Sequence, residues 1–471
     1  MEMADKAGRA PADREKIFAD MPVGRALYAM AAPTVISQLI NLIYNMVDAF
    51  YIGRTGDPYK MAATTVTISL VMLNVAFGNL FGIGGGSLIA RLMGLGRHDE
   101  AKAVSSFAVC ATLGTAVLYA AAVSLFREPL LRFLGASDAT IGYASSYATI
   151  VLVIGLLPMM LSQVLAHLLR NVGCAKEASI GLSGGGILNM ILDPLFMFVI
   201  LPKGMEVTGA AAATALSNFC ACFYLLSVYR RAAKDAPLSL RPADARSVSP
   251  ENRRSIFAVG LPSAIQLALF DLANICANKL AAAHSDLVLA GLGIVMKIER
   301  IPNAVNIGIC QGMMPIVAYN YSSGNHARMH ETMRKARLYG LLIAGASIAL
   351  LEIFARPVSQ LFLSTSAGDT AAAVTTLGFA ALFLRIRAIA SPGQFLCYNS
   401  SFSMQAIGSG SAPLLLACIR ELLMYVPLMF LLDGLFGEIG LAAALPAGEW
   451  LTAVFAVILL RRVLRRKAVQ A

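Results

Sequence analysis
Charge is what this chain of 471 residues has least of: 14% is Asp, Glu, Lys or Arg, against 58% hydrophobic residues. A water-soluble globular domain does not reach that balance, so the composition points to an integral membrane protein. Catalytic signatures are missing as well. No Walker A, His-Glu-x-x-His or Gly-x-Ser-x-Gly pattern occurs, which argues against ATP-driven pumping, a zinc protease and a serine hydrolase. A membrane-embedded enzyme would need an acid-base or metal constellation, and none is legible. Gly82-x-Gly84-Gly85-Gly86 lacks the Gly-Lys-Ser/Thr ending of a phosphate loop and follows no strand, so it reads as a site of close helix packing. The eight cysteines lie mostly inside apolar runs, where they act as small hydrophobes, and Cys220-x-Cys222 has the wrong spacing and no partner pair for zinc. Met1 to Arg25 has no apolar core of a signal peptide and reads as a short cytoplasmic arm.

What is present is long apolar runs. Ala26 to Val47 and Val104 to Phe126 are 20 to 25 residues long, the length of a spanning helix and about twice that of an outer-membrane strand. Windows bounded by Gly, Pro and charged residues predict spans near 26–52, 62–90, 104–126, 141–168, 178–200 and 207–229 in the first half. In the second half they fall near 256–280, 287–318, 336–356, 370–400, 412–432 and 438–461. The net charge of +11 is explained by loop asymmetry rather than by nucleic acid. With twelve spans, 26 Lys and Arg fall on the side of the termini, 7 on the other and five inside spans. By the positive-inside rule both termini and the loop from Arg230 to Arg254 are cytoplasmic, in a multi-pass protein of the cell membrane.

The prolines repeat at nearly constant offsets: Pro33 and Pro262, Pro129 and Pro357, Pro158 and Pro392, Pro194 and Pro427, separated by 229, 228, 234 and 233 residues. Phe126-Arg-Glu-Pro-Leu-Leu-Arg-Phe-Leu resembles Phe354-Ala-Arg-Pro-Val-Ser-Gln-Leu-Phe, and Gly82-Ile-Gly-Gly-Gly resembles Gly308-Ile-Cys-Gln-Gly. The chain therefore reads as a duplicated six-helix unit. Six is even, so both halves enter the membrane in the same sense and are related by an axis along the membrane normal, with a cavity between them as in transporters. The expected organisation is an arm (1–25), a first six-helix bundle (26–230), a basic cytoplasmic linker (231–254), a second bundle (255–461) and a cytoplasmic tail (462–471).

Thr34, Gln38, Asn41, Asn45 and Asp48 recur at spacings of 4, 3, 4 and 3 and so share one face of the first span. An ionisable residue in a span costs about 2.5 to 3.5 kcal/mol on insertion scales, which makes Asp48 a functional candidate; hydration near the helix end is the alternative. In the fifth span Asn189 and Asp193 sit one turn apart, and Pro194 leaves the Met190 carbonyl without its usual donor. That oxygen-rich set suits a proton or a small hard cation, such as a sodium ion shared transiently with Asp48 by Asn189 and Asp193; a capped kink is the alternative. The offsets map Asp48 onto Ala277 and Asp193 onto Val426, so ion coupling belongs to the first half. Second-half charges (Asp271, Lys297, Glu299, Arg300, Arg385, Arg387, Arg420, Glu421, Glu449) are expected to neutralise one another, while Asp271, Asn274 and Asn278 share a face that would line the cavity opposite the first span.

Several ordered segments resemble the multidrug and toxic compound extrusion (MATE) family, in particular its MepA-like branch. They are Ala32-Pro-Thr-Val-Ile-Ser-Gln, Val47-Asp-Ala-Phe-Tyr-Ile-Gly53, Gly84-Gly-Gly-Ser-Leu-Ile-Ala-Arg-Leu-Met-Gly94, Leu169-Arg-Asn-Val-Gly173, Leu188-Asn-Met-Ile-Leu-Asp-Pro-Leu-Phe196 and Gln311-Gly-Met-Met-Pro-Ile-Val-Ala-Tyr-Asn-Tyr321. The resemblance implies a monomeric antiporter that exports bulky, often cationic organic compounds in exchange for protons or sodium ions, with no cofactor. By motif position Asp48 corresponds to the acid of the first span, Asn189 and Asp193 to the polar pair of the fifth, and Thr214 to their partner in the sixth. The rival reading within the same superfamily is a flippase for a lipid-linked sugar, whose cavity should present unpaired Arg or Lys to a pyrophosphate.

Overall fold
The computed structural model describes residues 11–361 and 370–470, so the first ten residues of the expected arm, the segment 362–369 and the last residue of the expected tail lie outside the described residues. Among the described residues the fold is all helical. A short helix α1 (Pro11–Ala19) precedes the first half, which comprises α2 (Val23–Gly53), α3 (Pro58–Gly94), α4 (His98–Phe133), α5 (Ile141–Ala148), α6 (Leu156–Asn171), α7 (Ala175–Leu195) and α8 (Glu206–Ala232). A connection holding α9 (Pro242–Arg246) leads to the second half: α10 (Pro250–His284), α11 (Asp286–Ser322), α12 (His326–Gln360), α13 (Thr370–Ala388), α14 (Ser391–Ala406), α15 (Ser411–Cys418) and α16 (Val426–Gln470).

These helices make the twelve crossings of two six-helix bundles. Several crossings are broken where the sequence carries Gly or Pro. The fourth consists of α5, a π-helical turn (Thr149–Ile154) and α6, bent by 50° at Gly155. α7 runs past Pro194 into a second π turn (Phe196–Ile200), and α15 continues through a third (Ile419–Tyr425) into α16. The last two expected spans form one helical run broken at Gly437, whose φ of 61° only glycine adopts freely. The kinks obey the repeat. Phe126 in α4 and Phe354 in α12 both leave helical geometry three residues before a proline, Pro129 and Pro357.

One end of the molecule, the base, gathers the starts of α2, α4, α7 and α10 and the ends of α3, α6, α8 and α11. There the halves meet through glycine. A Cβ at Gly84 on α3 would overlap the Ile256 carbonyl of α10, and one at Gly260 on α10 would overlap the Leu80 carbonyl of α3. The same arrangement recurs on the other side of the pseudo-two-fold axis: a Cβ at Gly312 on α11 would overlap Ala31 of α2, and one at Gly308 would lie 2.7 Å from the Val35 Cα. Gly84 and Gly312 are 228 residues apart, and Ala31 and Gly260 are 229 apart, so both contacts are one contact repeated. Small residues let helix backbones approach closely where lipid supplies no hydrophobic drive. Bonds across the seam also lie at this end: Arg91 Nη2 donates to Ser255 Oγ at 3.1 Å and Asn252 Nδ2 to Glu100 Oε2 at 2.9 Å. Toward the opposite end, the mouth, Asn45 on α2 and Asp271 and Asn278 on α10 are exposed.

α1 closes the base from outside. Phe18 is fully buried, its ring 5.6 Å from that of Tyr319 on α11. The carbonyls at the C-terminal end of α1 are capped by the second half. Arg328 donates to the carbonyls of Phe18 (2.6 Å), Ile17 (3.3 Å) and Met21 (2.5 Å), and Asn320 Nδ2 donates to Phe18 at 3.0 Å.

Adding one methyl at either seam, Gly260→Ala or Gly312→Ala, overpacks the base by about 1–3 kcal/mol. Spin labels at the exposed Leu95 and Ser323 will then show a longer distance distribution, whereas Gly345→Ala, which faces open space, will leave it unchanged.

Candidate functional site
The second half pairs most of the membrane charges singled out from sequence, Lys297 being the exception: it is exposed and has no ion pair among the described residues. Arg387 on α13 makes a two-pronged bond to Glu299 on α11, 2.8 Å from Nε and 2.8 Å from Nη2, and its Nη1 donates to the Tyr425 hydroxyl at 3.3 Å. Arg420 bonds Glu449 at 2.6 to 3.1 Å and lies 4.7 Å from the Tyr398 ring centroid, with Glu421 further off at 3.6 Å. Arg385 faces Glu352 at 3.9 Å. Asp271 interacts electrostatically with Arg300. Such pairing is how charge survives in a low-dielectric bundle.

The first half is built differently. Asn189 and Asp193 are one turn apart on α7 and almost wholly buried. Asn189 Nδ2 donates to Asp193 Oδ1 at 3.1 Å and to Thr214 Oγ1 on α8 at 3.3 Å. α2 packs along α7: a Cβ at Gly186 would lie 3.2 Å from the Tyr44 ring, so the missing side chain seats that aromatic. Asp48, one turn beyond Tyr44, interacts electrostatically with Asp193, Tyr44 and Tyr147, and Tyr147 lies near Thr214. Asp48 Oδ1, Asp193 Oδ2 and Asn189 Oδ1 are buried without a hydrogen-bond donor from the described residues. Two carboxylates and a carboxamide oxygen thus converge with no basic side chain among their hydrogen-bond or ion-pair partners. Buried oxygens left this way call for a proton or a small cation.

The four residues singled out for ion coupling, Asp48, Asn189, Asp193 and Thr214, therefore come together. Tyr44 and Tyr147 join them and were missed from sequence. Tyr44 carried a signal, since it lies four residues before Asp48 on the same face, but an aromatic in an apolar run reads as core; Tyr147 carried none. The residues singled out for the cavity are more dispersed. Thr34 is buried and turned to its own helix, donating to the Met30 carbonyl at 2.8 Å. Gln38 crosses the seam, with Nε2 3.3 Å from Gln311 Oε1 on α11. Asn45 is exposed and donates to the Asn41 carbonyl at 2.6 Å. Asp271 and Asn278 are exposed and Asn274 is half-buried; among the described residues no hydrogen bond joins these three to α2. No disulfide joins the cysteines among the described residues, and no group of three or more His, Cys, Asp or Glu among them is placed to hold a metal.

The family model described as MatE matches residues 33–195 and 262–431, two segments that begin at the repeat prolines Pro33 and Pro262. Among curated proteins the chain is similar to the multidrug export protein MepA of Staphylococcus saprophyticus, 25% identical over 445 residues and 94% of each chain. MepA of Staphylococcus aureus strain MRSA252 is 24% identical over 443 residues, again 94% of each. Solved structures share the fold. A MATE protein in complex with MaL6 superposes with a TM-score of 0.90 at 23% identity, covering 97% of this chain and 99% of that one. A MOP superfamily transporter from Pyrococcus furiosus, described as having a binding pocket of reversed polarity that suggests a different function, superposes with a TM-score of 0.88 at 22% identity, covering 98% and 100%.

Removing one partner of the buried pair, by Arg387→Met or Glu299→Gln, leaves an uncompensated charge or acceptor and costs about 3–5 kcal/mol. Thermal unfolding in detergent will show a lower midpoint for each single variant, while Arg387→Met with Glu299→Leu recovers most of the loss.

Proposed function
The chain belongs to the MatE family of multi-pass membrane transporters, and on that premise we propose that it is a secondary antiporter exporting bulky organic cations in exchange for protons or sodium ions. The observation that carries this reading is the pair of acids Asp48 and Asp193, whose unmatched oxygens lie with Asn189 and Thr214 inside the first bundle. The base, where Lys and Arg concentrate, is the cytoplasmic face, and both termini lie there. A proton or sodium ion entering from the mouth neutralises the acidic cluster. The empty, charged cluster and the loaded, neutral one then favour different packings of α2 against α7 and α8, and the halves rock about the glycine seam to pass an organic cation outward. A membrane potential contributes about 2.3 kcal/mol per charge per 100 mV, and a pH unit about 1.4 kcal/mol, enough for modest concentrative export. The organic substrate sits between the halves against Gln38, Asn41 and Asn45 on one side and Asp271, Asn274 and Asn278 on the other. The transporter works as a monomer without a cofactor.

The flippase reading is disfavoured because Arg387 and Arg420 are committed to Glu299 and Glu449, leaving them unavailable to a pyrophosphate. The test is ethidium efflux from vesicles holding the purified protein, under an imposed pH gradient and then an imposed sodium gradient. We expect one gradient to drive efflux, and Asp48→Asn and Asp193→Asn to reduce it to background without loss of folded protein. Undiminished export by both variants would overturn the role given to the acids; no response to either gradient would favour the flippase.

A further inference from the structure
We propose that the base of the first half carries a binding site for the phosphate of an anionic headgroup, formed by Lys102, Arg230, Lys234 and Arg241. The site lies apart from the acidic cluster and does not depend on its role. It is a cavity of about 420 Å³ between the start of α4, the end of α8 and the connection that follows, lined by these four cations and a single acid, Asp244. The acid is already engaged, accepting a hydrogen bond from Ser239 Oγ at 2.5 Å. Lys102 has one exposed neighbour, Asp99 at 3.5 Å. Among the described residues Arg230, Lys234 and Arg241 have no carboxylate within ion-pair distance.

The walls are built rather than draped. Ser105 Oγ accepts from the Ser239 backbone N–H at 2.8 Å, Ser106 Oγ donates to the Arg241 carbonyl at 2.6 Å, and Tyr229 OH donates to the Ser239 carbonyl at 3.2 Å. Leu238 is 3% exposed, which pins the middle of the connection to the bundle. A second cavity of about 390 Å³ shares Lys102 and Lys234 and adds His98, but it also holds Glu15 and Asp235, so positive charge is concentrated in the first.

Two guanidinium forks and two ammonium groups around one hollow match a phosphate rather than a point anion. Their position fixes the source we favour. Arg230 and Arg231 end the last crossing of the first half, so the cavity lies beside a span's basic end, the place where a phospholipid phosphate is most readily met. Each cation close to an anionic headgroup is worth about fivefold in occupancy, on the order of 10²-fold for three. A headgroup held there would tie the connection between the halves to the surrounding leaflet.

The test uses the full chain reconstituted in nanodiscs of phosphatidylcholine alone or with about one quarter phosphatidylglycerol, and reads lipid retention by native mass spectrometry together with the thermal midpoint. Arg230→Gln/Lys234→Gln/Arg241→Gln removes three exposed charges, and Arg462→Gln/Arg465→Gln/Arg466→Gln removes three from the end of α16. We expect wild type and the α16 variant to retain phosphatidylglycerol and gain midpoint, and the first variant to lose both by at least tenfold in occupancy. A parallel arm adds millimolar inorganic phosphate in neutral lipid. Stabilisation by phosphate alone, lost in the first variant only, would support the site and assign it to a soluble phosphate. Equal losses in the two triple variants, or none in either, would overturn the proposal.

Discussion
The contact on which the arrangement rests is backbone against backbone at the base. Within a bilayer, helices gain nothing by hiding apolar side chains from one another, so association depends on close van der Waals approach and on polar bonds. Gly84, Gly260, Gly308 and Gly312 supply that approach between the halves. Around these glycines side chains from both halves pack together, Leu27 and Ile83 with Val259 and Met313, and Phe81 edge-on to Phe257 at 6.1 Å. The seam is therefore the most closely packed boundary between the halves.

The two halves differ in how their buried acids are met, although both follow one repeat and the first also holds a paired Lys60 and Glu206 at 2.8 Å. In the second, Arg387 and Arg420 face carboxylates at hydrogen-bonding distance, so the membrane sees nearly neutral groups. In the first, Asp48 and Asp193 face a carboxamide, a hydroxyl and two phenols, with no ammonium or guanidinium within bonding distance among the described residues. Arg387 and Arg420 are satisfied by fixed protein partners, whereas the acidic cluster keeps oxygens without a donor among the described residues. The repeat is thus closer in its backbone than in its buried polar groups.

The duplication, the spans and the polar residues of the first-half cluster were legible because each rests on local chemistry. Proline interrupts helices wherever it occurs, so its offsets survive as a ruler. Polar residues at helical spacing in an apolar run carry a desolvation cost that only a pocket or a polar partner offsets, so Asp48, Asn189 and Asp193 stand out. The seam could be anticipated only in part: Gly82 to Gly86 signalled close packing, but that Gly84 meets α10 is a fact of tertiary structure. Tyr44 and Tyr147 were not legible, since an aromatic ring in a span is equally at home in lipid, core or pocket. The fusion of the last two spans through Gly437 was likewise invisible, because a glycine between two apolar runs reads as a turn.

α1 belongs to the first half by covalent bond and to the second by the hydrogen bonds of Arg328 and Asn320. Any movement that parts the base has to resolve this dual allegiance, either by stripping α1 from α11 and α12 or by stretching Asp20 to Pro22. Stripping would expose Phe18 and a row of helix-end carbonyls to water. α1 is therefore placed where a small binding protein gripping it would feel the two halves separate, and where a bulky ligand on it would weigh on the balance between closed and open.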